Sequence, residues 1–295
     1  MSTTVGLVGL GKMGYGLARR LTGAGLRVIA TDRDAGLRDS ARSELGVDSV
    51  ESVAAVLSAL PPRSVVWLML PAGEITREMI DHVAGLLAEP LIVVDGGNSN
   101  FSDAARHAGV IGAAGGDFVD VGVSGGQWGW KDGYGLMVGA SSEVYKEMSN
   151  VLDALAGSSS HHRVGEHGSG HLVKALHNGV QYAVMQAYAE GFALLEAHEG
   201  IDTVRAMAAW QDGSSVRSWL LSQMLTALEE NPDLDGVSAV VPDSGMGRWT
   251  ALEAIALGVP TPVLTSALFA RFHSQGPQLA EKLLRASRTQ IGGQR

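Results

Sequence analysis

Short apolar runs mark the first half of the chain, and each is bounded by glycine, proline or aspartate. The runs are VGLVG (5–9), RVIAT (27–31), SVVWLML (64–70), LIVVD (91–95), DFVDVG (117–122) and YGLMVGA (134–140). Segments with helical periodicity separate the first several of them. Fully apolar strands that alternate with helices are typical of a parallel sheet covered on both faces. The pattern therefore predicts a doubly wound α/β domain over residues 1–165.

From about Gly165 onwards, the pattern changes to a helical one. Residues 167–200 contain no proline and keep a helical repeat, which predicts one unusually long helix. Shorter helical segments follow, separated by turn-forming clusters, at 204–211, 218–230, 249–258, 263–274 and 279–287. We therefore expect residues 166–295 to form an all-α domain built on the long helix. The segment SSSHH (158–162), just before this domain, is interpreted as a surface turn.

Three glycines follow the first apolar run in the spacing G-x-G-x-x-G: Gly9, Gly11 and Gly14. In a dinucleotide-binding Rossmann domain, such glycines permit a tight turn, close approach of the backbone to a pyrophosphate, and close helix–strand packing. Asp32, at the end of the second apolar run, can accept hydrogen bonds from ribose hydroxyls and would repel a 2′-phosphate. These residues predict NAD as the cofactor. The adjacent Arg33 could instead hold a 2′-phosphate, which keeps NADP as the less favoured alternative.

A polar stripe lies along the predicted long helix. Its members follow one another at steps of three and four, which places them on one helix face: Lys174, His177, Asn178, Gln181 and Tyr182. The neighbouring positions are rich in Leu, Val, Ala and Met, and the stripe contains no acid. A solvated face usually carries Glu, Lys and Arg, and buried polar groups need partners. We therefore interpret the stripe as lining a substrate site.

Composition and charge exclude several classes of function. The net charge is −9 with acids and bases interspersed, so neither nucleic acid nor an anionic membrane is an expected partner. The absence of cysteine excludes disulfides, thiolate metal sites and a cysteine nucleophile. No leader precedes the first strand, and no apolar stretch reaches the length of a membrane span. We therefore expect a soluble cytoplasmic protein.

Two further features outside the stripe have alternative interpretations. His167 and His171 are four residues apart, a spacing that can bind zinc, but the sequence places no third ligand beside them, so we expect no metal site. Trp128 and Trp130 lie in the glycine-rich segment SGGQWGWKDG, where pocket wall and ordinary packing remain equal alternatives.

A set of motifs along the chain carries a resemblance to a known family. The motifs are GLGKMG (9–14), DGGNS (95–99), DVGVSGG (120–126), GYGLMVGA (133–140), GSGHLVKALHNG (168–179), AYAEGF (187–192), GRWT (247–250) and ALFARF (267–272). With them the chain resembles the decarboxylating 6-phosphogluconate dehydrogenases, in particular their short form, and more distantly the β-hydroxyacid dehydrogenases. DGGNS, VSGG and K-x-x-H-N-G in this order are far more specific than the glycine fingerprint alone.

The resemblance implies an activity and a role for individual residues. The implied reaction is NAD(P)-dependent oxidation of a sugar acid at C3 followed by loss of carbon dioxide, with Lys174 as the general base on the hydroxyl. Substrate-binding positions, including two for the sugar phosphate, are Asn98, Ser124, Gly125, Gly126, Lys174, His177, Asn178, Tyr182 and Arg271. Cofactor positions, with the fingerprint glycines Gly9, Gly11 and Gly14, are Leu10, Lys12, Met13, Asp32, Arg33, Leu70, Pro71, Ala72 and Asn98.

The chain departs from the family at three places. Gln181 stands where the family has the glutamate that protonates the enediol intermediate. Ser244 and Met246 replace a lysine and a threonine that the long forms place near the phosphate; short forms usually have glutamate at the second position. Asp32, Arg33 and Asp34 stand where the members that use NADP have Asn-Arg-Thr, which supports NAD.

These departures leave three interpretations open. The chain oxidises and decarboxylates 6-phosphogluconate or a close analogue; it acts on another, possibly unphosphorylated β-hydroxy acid; or it is a catalytically impaired variant or sensor. The family completes its substrate site with a neighbouring subunit's C-terminal tail, so the resemblance also implies a homodimer or a dimer of dimers. Candidates in this tail are Arg285, Arg288 and Arg295.

Overall fold

The structure is a computed structural model that describes residues 3–157 and 159–292. Its strands are β1 (Thr4–Val8), β2 (Arg27–Thr31), β3 (Asp48–Ser49), β4 (Val65–Leu68), β5 (Ile92–Asp95), β6 (Asp117–Ser124), β7 (Gly135–Gly139) and β8 (His161–Gly165). The helices up to the long one are α1 (Lys12–Gly23), α2 (Ala35–Leu45), α3 (Val53–Ser58), α4 (Glu74–Leu86), α5 (Ala104–Ala113), α6 (Gly129–Asp132), α7 (Ser142–Glu147), α8 (Ser149–Ala156) and α9 (Ser169–Glu196). Five more follow: α10 (Thr203–Gln211), α11 (Trp219–Glu230), α12 (Met246–Leu257), α13 (Pro262–Gln275) and α14 (Leu279–Gly292).

The strands form one sheet in the order β3-β2-β1-β4-β5-β6-β7-β8. Pairing is parallel from β3 through β6, β7 runs antiparallel to β6, and β8 runs parallel to β7. The predicted doubly wound α/β fold is therefore confirmed. One detail of the prediction is wrong, because His161 and His162 belong to edge strand β8 rather than to a surface turn.

Apolar layers cover both faces of the sheet, as the unbroken apolar strands require. In β4, Val65 and Trp67 belong to one buried cluster, whereas Val66 and Leu68 belong to the other. The first layer includes side chains of α1 and α8, and the second includes side chains of α3, α4 and α5. The alternation along β4 thus fixes the sheet between two helical layers.

The chain divides into two compact units, Met1–Ala175 and Leu176–Arg295, and the division falls within α9. The sequence places the boundary ten residues earlier, before this helix begins. The second unit is entirely helical in its described residues, as predicted. Its small apolar clusters join α9 with α13 through Tyr182 and Leu268, and α10 with α11 through Met207 and Leu221.

Candidate active site

The glycine loop after β1 has the geometry of a phosphate-binding turn. Gly9 has φ +100°, and a Cβ there would collide with the carbonyl oxygen of Met69. A Cβ on Gly14 would collide with the carbonyl oxygen of Gly9, whereas one on Gly11 would meet nothing within 4 Å. Gly11 precedes α1, whose first turn contains no acid and no side-chain cap. The open backbone and the positive end of α1 therefore fit a bound pyrophosphate.

Asp32 joins the end of β2 to this loop. Its Oδ2 accepts a hydrogen bond from the Leu10 backbone N–H at 2.7 Å, and its Oδ1 accepts one from Asp34 at 2.9 Å. Each carboxylate oxygen keeps a further lone pair that can accept a ribose hydroxyl. Arg38 donates to the backbone carbonyl of Asp32, whereas the side chain of Arg33 is exposed. The arrangement fits the predicted NAD site.

The other predicted cofactor and substrate positions of the first unit follow the carboxyl ends of neighbouring parallel strands. Leu10 to Met13 follow β1, Leu70 to Ala72 follow β4, Asn98 follows β5, and Ser124 ends β6. Because β1, β4, β5 and β6 are adjacent in the sheet, these segments share one edge. In α/β folds, this edge is where ligands bind.

Lys174 lies in the second turn of α9 and is only 6% exposed. Burial lowers the pKa of its amine to about 8. The helix backbone approaches β6 at this point because residue 122 is glycine: a Cβ there would collide with the Lys174 Cβ and would lie 2.8 Å from the Gly170 carbonyl. A buried lysine with a lowered pKa can be neutral near neutral pH, as a general base must be.

The loop after β6 turns sharply on two glycines. Gly125 has φ +127° and Gly126 has φ +53°, conformations that other residues rarely adopt. Tyr134 is buried against this turn, 3.2 Å from the position of a Gly125 Cβ. Burial raises the pKa of Tyr134 to about 12, so its hydroxyl stays protonated. The turn thus has a rigid support behind Ser124.

A buried polar group beneath this edge was missed by the sequence reasoning. Asp95, His107, Asp120 and His171 are each no more than 1% exposed. His107 lies 4.0 Å from Asp95, and burial lowers the pKa of His107 while it raises the pKa of Asp120. Asp95 and Asp120 lie inside motifs of the sequence, but only their burial shows that they need partners.

In the second unit, Tyr182 and Arg271 stack on one another. The Arg271 guanidinium lies 3.6 Å from the centroid of the Tyr182 ring, and it donates a hydrogen bond to the carbonyl of Pro242. The Tyr182 hydroxyl lies 3.1 Å from Ser244 Oγ and accepts from the Ser244 backbone N–H at 3.3 Å. The two residues predicted as phosphate ligands are thus brought together, with Ser244 beside them.

Asp243 closes this group on its other side. Its side chain is 2% exposed, forms an ion pair with Arg248 and accepts a hydrogen bond from the Gly245 backbone N–H. Burial would raise the pKa of Asp243, but the charge of Arg248 and the hydrogen bonds from Arg248, Gly245 and Tyr182 together outweigh it, so the pKa is lowered. The carboxylate stands 3.5 Å from the Tyr182 hydroxyl, so a negative charge adjoins the predicted phosphate position.

The remaining members of the helix stripe are only partly buried. His177 Nδ1 lies 3.0 Å from Asn178 Oδ1. The Gln181 amide points along its own helix, where Nε2 lies 3.9 Å from the Met185 sulfur, a weak contact. The side chains of Asn178 and Gln181 therefore retain hydrogen-bonding capacity for a ligand.

Comparison with known proteins also divides the chain into two parts, with the change between residues 165 and 170. A family model for the NAD binding domain of 6-phosphogluconate dehydrogenase matches residues 4–165, and one for its C-terminal domain matches residues 170–291. The NAD(+)-dependent, decarboxylating 6-phosphogluconate dehydrogenase of Haloferax volcanii is 38% identical over 98% of this chain and 96% of that protein. The chain belongs to the 6-phosphogluconate dehydrogenase family.

Other relatives show where the chain stands within this family. A decarboxylating 6-phosphogluconate dehydrogenase of Staphylococcus aureus is 31% identical, and the match spans 93% of this chain but only 62% of that protein. The solved structure of Mycobacterium tuberculosis 3-hydroxyisobutyrate dehydrogenase with L-serine has 25% identity and a TM-score of 0.73, covering 90% of this chain and 91% of that one. The chain is thus a short-form member and an oxidoreductase with an NAD-binding domain, as the motifs predict.

The histidines and tryptophans that the sequence left with alternative interpretations now have a structural place. His171 Nε2 lies 3.2 Å from the carbonyl of Asp95, and His167 packs near the ring of Phe118. Trp130 lies beneath the Arg19 guanidinium, 3.8 Å away, which favours packing, whereas Trp128 is 47% exposed. Within residues 3–157 and 159–292, no cluster of three metal-binding side chains occurs. In the same part of the chain, no helix is long and apolar enough to span a bilayer.

Proposed function

We propose that the chain catalyses the NAD-dependent oxidative decarboxylation of 6-phosphogluconate or a close sugar-acid analogue. The observation that carries the proposal is Lys174, a buried amine with its pKa lowered to about 8. It lies on α9 and packs against Gly122 of β6, two residues before that strand ends at Ser124. A base of this kind is what oxidation of a secondary hydroxyl requires. The names of the relatives in Haloferax volcanii and Staphylococcus aureus support the substrate class.

The residues of the chain divide the work of the reaction. Lys174, in its neutral form, takes the proton from the C3 hydroxyl as the hydrogen on C3 leaves as hydride. NAD, when bound, accepts that hydride. Asn98, His177 and Asn178 donate hydrogen bonds to the substrate oxygens and its carboxylate, where negative charge develops. The resulting β-keto acid loses carbon dioxide because its ketone accepts the electron pair.

Cofactor choice rests on the end of β2. The Asp32 carboxylate is fixed by two backbone N–H groups, so it cannot turn away from a 2′-phosphate placed at the ribose. Repulsion between like charges therefore favours NAD over NADP. Arg33 lies exposed beside it and is the residue that would hold the phosphate if NADP were used.

The phosphate end of the substrate is assigned to Tyr182, Ser244 and Arg271. Arg271 supplies a positive charge, and the Tyr182 and Ser244 hydroxyls supply donors. The neighbouring Asp243 carboxylate offsets part of that charge, and Met246 is fully buried and adds none. Because the charges of Arg271 and Asp243 partly cancel here, this position also suits a substrate without a phosphate. This is the structural argument for the second interpretation, an unphosphorylated β-hydroxy acid.

A homodimer is proposed from the surface of the second unit. Apolar side chains of α12 and α13 are widely exposed, and three of them, Leu252, Ile255 and Phe269, border a groove of about 650 Å³. Arg285 and Arg288 lie exposed on α14, where a neighbouring copy could use them. The third tail candidate, Arg295, lies outside the described residues.

The experiment that tests the proposal is a spectrophotometric assay of NADH formation coupled to carbon dioxide release. 6-Phosphogluconate, gluconate and 3-hydroxyisobutyrate are compared, each with NAD and with NADP. We expect the highest kcat/KM with 6-phosphogluconate and NAD, with NADP about tenfold lower or worse. Lys174→Met is expected to abolish NADH formation. Turnover by the Lys174→Met variant, or a preference for gluconate, would contradict the base or the substrate assignment, respectively.

A further inference from the structure

Strand β6 holds the start of α9 through a buried carboxylate. Asp120, which is 0% exposed, accepts a hydrogen bond at Oδ1 from the Gly168 backbone N–H (2.6 Å) and at Oδ2 from the His171 backbone N–H (2.8 Å). The first backbone N–H groups of a helix have no partner within the helix. Asp120 therefore caps α9 from another element, as a side chain at the helix N-terminus normally does.

The same strand face meets Lys174 two residues later. Side chains two apart on a strand share a face, so Asp120 and Gly122 both face α9. Lys174 follows His171 by about one helical turn, and its Cβ lies where a side chain on Gly122 would stand. A capped helix start and a glycine contact one turn later fix the helix in both position and rotation.

We propose that Asp120 is a positioning residue for Lys174, which it places over Gly122 by holding the first turn of α9 against β6. The inference rests on the proposed function only in taking Lys174 as the base. Asp120 touches neither the reacting atoms nor the cofactor edge in this arrangement. Its contribution is to the location and the burial of the amine.

The surroundings of Asp120 and the burial of Lys174 give this role a measurable signature. The titratable groups that face it are His171 on α9 and Asp95 on β5, and Asp95 in turn faces His107 on α5. The residue of β7 that lies against Asp120 is Gly139, which carries no charge. The Asp120 carboxylate is thus the negative charge that opposes the positive end of α9. Burial is what lowers the pKa of Lys174, so if the first turn of α9 is no longer held against β6, the amine becomes more exposed and its pKa rises towards the usual value.

The test compares Asp120→Asn with a matched control, Asp117→Asn. Asn preserves the size of the side chain but removes its charge and one acceptor. Asp117 lies on the same strand, half exposed, in an ion pair with Arg63. Three quantities are measured for each: kcat with NAD and the sugar acid, the Kd for NAD, and the pKa of Lys174. The last is read by NMR of ¹³Cε-labelled lysine, which is feasible because the chain has five lysines: Lys12, Lys131, Lys146, Lys174 and Lys282.

For Asp120→Asn we expect kcat to fall about tenfold or more, the NAD Kd to stay within about twofold of the parent's, and Lys174 to titrate about half a pH unit higher. The Asp117→Asn control should leave all three unchanged. A parental kcat or a parental or lowered Lys174 pKa in Asp120→Asn would overturn the proposal. The lysine titration needs no turnover, so it still tests Asp120 if Lys174→Met proves active and the proposed function fails.

If Asp120→Asn does not fold, the variant Gly122→Ala tests whether the position of Lys174 over β6 controls kcat. The added Cβ collides with the Lys174 Cβ and must displace the lysine. We expect kcat to fall at least about tenfold while NAD affinity stays at the parent's level, because the glycine loop lies on β1. A parental kcat in Gly122→Ala would then overturn the proposal.

Discussion

At the scale of single residues, Lys174 makes the stability of the fold depend on pH. Its amine has a pKa of about 8 in the folded protein, lowered from 10.5 by burial. Below pH 8 both states are protonated, and the folded state must hold a buried charge at a cost on the order of 3 kcal/mol. Between pH 8 and 10.5 the unfolded chain binds more protons, so stability rises with pH through that window.

Lys174→Met should therefore raise the free energy of unfolding at pH 7 by up to about 3 kcal/mol, even though it removes the proposed base. The gain should shrink between pH 8 and 10.5, where the parent no longer carries the buried charge. Urea unfolding at pH 7 and pH 10 measures both values. Lys146→Met, at an exposed lysine, is the control that should change neither. An equal gain at both pH values would contradict the buried-charge explanation.

Gln181 gives the second residue-scale prediction. It lies seven positions after Lys174, about two turns of the same helix. A primary amide has no proton acidic enough to protonate an enediol carbon, so that proton must come from water or from His177. Gln181→Glu should raise turnover on 6-phosphogluconate by roughly 10²–10⁴-fold, the contribution of a general acid. The matched control is Gln186→Glu, one turn further along the helix.

Unchanged or lower turnover in Gln181→Glu, with Lys174→Met inactive, would mean that the amide serves a different reaction. The steady-state rate at which the protonated ketone product forms is the deciding measurement, because hydride transfer depends on Lys174 and the cofactor instead. A gain in product formation that leaves the single-turnover rate of hydride transfer unchanged would assign the missing acid to this position.

Residue identity alone could predict only part of the site. Lys174, Asp32 and the glycine fingerprint were identifiable because their spacing or motif carries the chemistry. Asp120 and Gly122 were not, since their roles come from contacts between segments distant in sequence. Nothing in the sequence around Asp120 indicates that its carboxylate oxygens accept hydrogen bonds from the backbone of a helix some fifty residues later.

At the scale of elements, apolar periodicity predicted the long elements and failed for β8. Residues 161–165 are polar and alternate in exposure, and no local pattern favours a strand. They form one because β7 offers an unpaired edge, and because His161 is held by Tyr145 at 2.9 Å and by Asp153 at 2.9 Å. Pairing with a preformed edge outweighed local preference here.

The crossing of α9 and α12 gives an element-scale prediction. A Cβ on Gly179 would lie 2.7 Å from both Cγ2 and Oγ1 of Thr250. Alanine normally stabilises a helix interior relative to glycine, but here the overpacking should win and cost about 1–3 kcal/mol. Thermal unfolding of Gly179→Ala should therefore show a lower Tm. Gly109→Ala in α5, where nothing lies within 4 Å, is the control and should hold or raise the Tm. A higher Tm in Gly179→Ala would mean that the two helices can separate freely.

At the scale of the whole molecule, the exposed apolar groove of α12 and α13 predicts self-association. Ile255 is 77% exposed in this groove. Light scattering should give twice the chain mass of 30.7 kDa, or a multiple of it. Ile255→Asp should shift the mass towards the single chain, because an interface core excludes an unpaired charge. Glu253→Gln on the same helix is the control. A parent of single-chain mass would contradict the proposed dimer.

Three glycines line the contact between β6, β7 and α9. A Cβ on Gly170 would lie 2.6 Å from the Met137 carbonyl, one on Gly139 would lie 2.8 Å from the Gly170 amide nitrogen, and Gly122 meets Lys174. These contacts are with backbone atoms or another Cβ, and no change of rotamer can move such atoms aside. In a saturation-mutagenesis map of the gene, these three positions should be as intolerant as Lys174, although none of them carries a functional group.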